Sequence, residues 1–84
     1  MSLGVVYEEK AIDQAAGFLA DDSVGIAAVL DAVDGLADDP RPAASFPYGS
    51  PDRRRLRVGR YRVFYEIRGD VVSIGHIARG TASG

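Results

Sequence analysis

The spacing of apolar positions changes period once along this chain. Leu3 to Tyr7 is a short β-prone run. After it, "EEKAIDQAAGFLADD" sets Ala11, Ile12, Ala15, Ala16, Phe18 and Leu19 at helical spacing with acids on the opposite side, which predicts an amphipathic helix. "VGIAAVLDAVDGLADD" predicts a second: Ile26, Val29, Leu30, Val33, Leu36 and Ala37 trace one stripe, Ser23 stands where an N-cap belongs, and Pro40 ends it. Residues 40–52, "PRPAASFPYGSPD", hold all four prolines and sustain no period. They predict a loop long enough to carry function, with Phe46 and Tyr48 either packed back on the core, the simpler reading, or in contact with a ligand.

From Arg53 onward the period is two. "RRRLRV", "YRVFYEIR" and "DVVSIGHIA" predict three strands, joined through Gly59-Arg60 and Gly69-Asp70 as two-residue hairpin turns. The predicted order is β-α-α-β-β-β. It describes an α+β, two-layer fold, with two N-terminal helices packed on one face of a small, mainly antiparallel sheet. At 84 residues the chain is expected to form one domain, residues 1–84, with a single core and modest stability.

Charge changes this picture more than composition does. The formal net charge is only −2, but residues 1–40 carry nine acids against Lys10, and residues 41–84 carry nine arginines against Asp52, Glu66 and Asp70. Such asymmetry points to a polyanionic partner for the second half. The acidic helix faces are most simply solvated surface. With no cysteine and one histidine, the sequence offers neither a disulfide framework nor a zinc site of its own. No leader-like segment or long apolar run appears, so a soluble, cytoplasmic protein is expected.

The arginines concentrate in "RRRLRVGRYRVFY", residues 53–65. With Gly59-Arg60 as the turn, Val58 pairs with Tyr61, Arg57 with Arg62, Leu56 with Val63 and Arg55 with Phe64. Leu56, Val58, Tyr61, Val63, Tyr65 and Ile67 then face the helices, and Arg55, Arg57, Arg62 and Phe64 face away. Arg57 opposite Arg62 is a like-charge pair that an anion would relieve. Guanidinium forks match phosphate and an aromatic ring stacks on a base, so this face is a candidate nucleic-acid site. Arg53 opposite Glu66 is expected to be a cross-strand ion pair, and Arg54 falls on the helix side. An unbroken ladder from the Gly69-Asp70 turn pairs His76 with Val63 and turns it inward, whereas a bulge near Gly75 would turn it outward, where it could transfer protons. The same unbroken ladder sends Arg79 outward, either as an extension of the cationic patch or as a frayed residue at the strand's end.

The stretch "RRLRVGRYRVFYEI", preceded by "LADDPRP" and followed by "VVSIGHIARG", resembles the RelE/ParE superfamily of type II toxins. The likeness runs over essentially the whole chain and is strongest from Leu36 to Ile67. It implies a ribosome-dependent messenger RNA endonuclease that blocks translation by driving a ribose 2′-hydroxyl onto the adjacent phosphate. The alternatives are a ParE-like inhibitor of DNA gyrase and a non-catalytic antitoxin-binding homologue. In the nuclease, Arg55, Arg57 and Arg62 take the positions of the family's catalytic cations and His76 is the proton-transfer candidate. Arg55, Arg57, Phe64 and Arg79 hold substrate. The implied partners are a cognate antitoxin protein, the ribosome and messenger RNA, with operator DNA bound only as the toxin–antitoxin complex. No metal, cofactor or membrane is implied. The sequence departs from the family at its end: Gly80 stands where the last catalytic arginine falls, Arg79 lies one position earlier, and no tyrosine follows.

Overall fold

A computed structural model describes residues 2–80. The elements are β1 (Gly4–Tyr7), α1 (Glu9–Asp21), α2 (Ser23–Gly35), β2 (Ser45–Tyr48), β3 (Ser50–Val58), β4 (Tyr61–Arg68) and β5 (Val71–Arg79). The strands form one sheet in the order β1-β5-β4-β3-β2, parallel only where β1 meets β5. The expected α+β layering is therefore present, with one strand more than the sequence predicted.

That strand is β2. Residues 45–48 lie inside the stretch expected to be a loop, and they pair antiparallel with β3, Phe46 opposite Arg55. Proline masked the signal. An edge strand tolerates Pro47 because one of its hydrogen-bonding sides faces solvent.

The two hairpin turns fall where predicted. Gly59 has φ of 58° and Arg60 is not in the positive-φ region, the pattern of a type II′ turn with glycine at its first central position. The β3–β4 register follows as expected, from Val58 opposite Tyr61 to Arg53 opposite Glu66. Helix α2 begins one residue earlier than the Ser23 cap implied. Asp22 is its N-cap, accepting from the Gly25 amide at 3.0 Å. The Asp22 carboxylate folds over Gly25 so closely that a Cβ there would displace it.

Ile26, Val29, Val33 and Leu36 of the α2 segment and Ala11 of α1 are buried against Leu56, Tyr61, Val63, Tyr65, Val72, Ile74 and Ile77 of the sheet. Burying apolar area of this kind is the main stabilising term. Among the described residues the other face of the sheet carries no helix, and it holds the candidate site. No helix among the described residues is long and apolar enough to cross a membrane.

Candidate functional site

Residues opposite one another across a ladder share a face, so the register alone lays out the open side. Phe46, Arg55, Phe64 and His76 form one row across β2, β3, β4 and β5. Nearer the Gly59-Arg60 turn, a second row holds Arg57, Arg62 and Ala78; on the far side, a third holds Arg53, Glu66 and Ser73. The predicted Arg55, Arg57, Arg62 and Phe64 thus come together, and His76 joins them.

His76 joins because β5 is bulged. Phe64 lies opposite His76 while Tyr65 lies opposite Ile74, so Gly75 is the extra residue. The inward histidine of the unbroken ladder is thereby corrected to an outward one, packed against Phe64 with ring centroids 5.3 Å apart. The same bulge reverses Arg79. It pairs with Tyr61 and lies on the helix side, where its guanidinium sits 4.8 Å from the Phe18 ring centroid and 3.0 Å from Asp21 Oδ2. Arg79 therefore does not extend the open-face patch. One additional residue changes the parity of everything after it.

Of the nine arginines, six have protein partners. Arg41 pairs with Asp52 at 2.6 Å, Arg68 with Glu66 at 2.7 Å, Arg60 with Asp22 at 3.3 Å, Arg79 with Asp21, and Arg53 with Glu66 at 3.8 Å, the cross-strand pair expected. Arg54, on the helix side as its parity required, donates to the Ser45 hydroxyl at 2.8 Å and to the Ser45 carbonyl at 3.2 Å, stitching β3 to β2. Arg55, Arg57 and Arg62 are the remaining three, and no carboxylate among the described residues lies within 4.0 Å of them. These are the arginines singled out from alternation. Arg62 extends over the end of β5, so that a Cβ placed on Gly80 would lie 3.5 Å from its Nη1.

Phe46 and Tyr48 depart from expectation. They do not pack on the core: 51% and 42% exposed, they lie on the open side, with the Tyr48 ring edge-on to Phe64 at 5.7 Å. Together with Phe64 they line the cationic rows with apolar surface on which bases can stack. Nothing in the sequence signals this orientation: polar Ser45 is buried and apolar Phe46 exposed, the reverse of the usual alternation, and prolines flank them.

A cleft of about 180 Å³ opens beside this cluster, lined by Tyr48, Phe64, Glu66, Ser73, His76 and, from the residue before α1, Glu8. Burial, and then the Lys10 ammonium, hold His76 below the ordinary imidazole range. Its Nδ1 lies 2.8 Å from Gln14 Nε2 of α1, a contact that sequence reasoning did not foresee because it joins residues 62 apart. On the helix side, the Tyr61 hydroxyl donates to Asp22 Oδ2 at 2.6 Å. That bond, with the Gly25 amide and then Arg60, keeps the Asp22 carboxyl below the usual carboxylate range.

The fold, a five-stranded sheet backed by a helix pair, is similar to that of several solved toxins and toxin–antitoxin complexes. The chain is similar to the chromosomal ParDE toxin–antitoxin system of P. aeruginosa, with a TM-score of 0.78 and 15% identity over 95% of this chain and 98% of that one. It is similar to E. coli toxin RelE, solved as an arginine-substituted mutant in the free state, with a TM-score of 0.76 and 22% identity over 99% and 88%. The RelBE2 toxin–antitoxin complex of Mycobacterium tuberculosis gives a TM-score of 0.76 and 20% identity over 94% and 99%. These likenesses define the class by fold: a small α+β protein built like the RelE and ParE toxins. No curated protein matches the chain by sequence. The family model for the ParE toxin of the parDE type II toxin–antitoxin system matches residues 9–82, and the chain belongs to that family.

Proposed function

We propose that this toxin is a ribosome-dependent messenger RNA endonuclease. The observation that supports it is the trio of arginines with no ion-pair partner among the described residues, Arg55, Arg57 and Arg62, set on one face beside Phe46, Phe64 and His76. RNA strand transfer forms a bond from a ribose 2′-oxygen to the adjacent phosphorus and breaks the bond from phosphorus to the 5′-oxygen. The 2′-hydroxyl gives up a proton to water, the departing 5′-oxygen gains one, and a cyclic phosphate remains. Negative charge builds on the phosphoryl oxygens in between, where fixed guanidinium groups stabilise it more than they stabilise the ground state. The aromatic rings hold flanking bases. The face is shallow and open, so the ribosome supplies the enclosure and the substrate alignment. A cognate antitoxin with an acidic and apolar segment neutralises the same face and stabilises the toxin by mass action; operator DNA is bound only by that complex.

A second reading, inhibition of DNA gyrase, is favoured by one observation. Arg79 is tied to Asp21 on the helix side and Gly80 stands at the family's last arginine position, so the open face is poorer in cations than a nuclease of this superfamily would have. A translation extract supplemented with purified toxin, followed by mapping of message ends, decides between the two. Codon-positioned cuts that fall by about 10²-fold in Arg62→Ala are expected. Intact messages together with blocked supercoiling by gyrase would overturn the nuclease reading.

A further inference from the structure

Helix α1 runs along a stretch of β5 that β1 leaves uncovered, because β1 ends at Tyr7, opposite Ile74. On that bare edge the Ile77 amide donates to Gln14 Oε1 at 2.7 Å. A backbone N–H can only donate, so the Gln14 oxygen is committed to Ile77 and its NH₂ group faces the histidine, 2.8 Å from Nδ1. Nδ1 must then accept, which leaves the ring proton on Nε2. Protonating the ring would set one N–H against another. Nε2 has no protein partner among the described residues, and no buried side-chain atom lacks one, so this nitrogen is open to solvent on the cationic side.

We infer that Gln14 is a positioning residue that fixes His76 as a neutral imidazole and makes Nε2–H a permanent, uncharged hydrogen-bond donor to an anionic oxygen of the ligand on the open face. The inference rests on the reading of that face as a phosphate site. It also changes the part assigned to His76. With Nδ1 engaged and Nε2 protonated, the ring has no free lone pair to take the 2′-hydroxyl proton, and without a positive charge it is a poor acid. It stabilises the phosphoryl oxygens beside the arginines, as a neutral imidazole can stabilise a developing oxyanion.

The charged neighbours suit that state. Lys10 of α1 opposes a second positive charge. Glu8, Glu66 and Arg53 share the cleft with His76. Glu66 is paired with Arg68 and Arg53, and Glu8 accepts from the Ser73 hydroxyl at 3.3 Å, so neither carboxylate pairs with the ring.

His76 is the chain's one histidine, so its ring nitrogens give a single set of ¹⁵N resonances in labelled full-length protein. The wild type is expected to show the Nε2–H tautomer and to titrate below free histidine. Gln14→Glu preserves the acceptor for Ile77 and replaces the donor to Nδ1 by a carboxylate, so the titration midpoint moves above that of the wild type. Gln14→Leu removes both the donor to Nδ1 and the acceptor of the Ile77 amide, adds no charge beside the ring, and moves the midpoint up by less. In the cutting assay, His76→Ala is expected to lose about 10²-fold and His76→Gln, which can still donate, to lose less. Gln14→Glu bends a pH–rate profile that the wild-type histidine leaves flat near neutrality. A wild-type ring protonated on Nδ1, or a Gln14→Glu midpoint no higher than wild type, overturns the inference. A locked Nε2–H ring in a toxin that cuts no message supports the lock and overturns the nuclease reading.

Discussion

Leu56 and Arg57 are neighbours on β3 and face opposite ways, one into a core where it is 3% exposed, the other onto a surface opposite Arg62. The helix side of the sheet leaves no arginine alone: Arg79 meets Asp21, Arg60 meets Asp22 and Arg54 is held by Ser45. The open side keeps three without a carboxylate among the described residues, although the first forty residues hold nine acids. Of those acids, Glu9, Asp13, Asp21, Asp31 and Asp34 lie on the helices and Asp22 at their junction, while Glu8 precedes α1 and Asp38 and Asp39 follow α2. Charge is thus paired differently on the two faces of the sheet. On one side it closes the structure; on the other, like charges are placed together at some cost to stability. A binding surface tolerates such a cost because its partner removes it.

The largest effect should come from the covered side. Leu56→Ala removes a buried side chain from between α2 and the sheet and is expected to cost about 3 kcal/mol, read as a lower urea midpoint at unchanged slope. In a chain this small, that is a large fraction of the total. A loss under about 1 kcal/mol would mean that the core relaxes around the gap, and that the two faces are less different than their packing implies.

Acid should separate the faces next. Asp22 joins the α1–α2 junction to β4 through the Tyr61 hydroxyl and caps α2 through the Gly25 amide. Its folded-state pKa is depressed, so its contribution is complete above the ordinary carboxyl range and is lost as the pH falls through the lower, folded value. Asp22→Asn retains a capping oxygen and removes the titration. Thermal unfolding should therefore show the variant less stable than wild type at neutral pH, with the difference shrinking as acid is added. Parallel curves would show that Asp22 is not the acid-sensitive tie between helices and sheet.

The hairpin that carries the three arginines was legible because strict alternation and a two-residue turn fix the faces, and nothing between Arg53 and Glu66 breaks the period. Two local events hid the rest. Gly75 inserts one residue into β5, and a glycine inside an alternating run announces a possible bulge without fixing which residues it displaces, so His76 and Arg79 exchanged sides. Prolines at 42, 47 and 51 made residues 40–52 look structureless, which hid β2 and the outward Phe46 and Tyr48. The Gln14–His76 contact lay beyond any local pattern: it depends on α1 passing the one stretch of β5 that β1 does not reach.

The smallest expected change in stability tests the open face most sharply. Arg57 is exposed, has no carboxylate partner among the described residues and faces Arg62, so Arg57→Ala should leave unfolding within about 0.5 kcal/mol of wild type, on the side of a gain. The same substitution should weaken binding to a single-stranded RNA oligomer. If Arg57 contacts phosphate, the slope of log affinity against log salt concentration should fall by about 0.7, the release of one counterion from a single strand. Stability lost together with affinity would make Arg57 a structural residue of the sheet. Affinity lost alone, with the salt slope reduced, marks charge that the fold does without and the ligand requires.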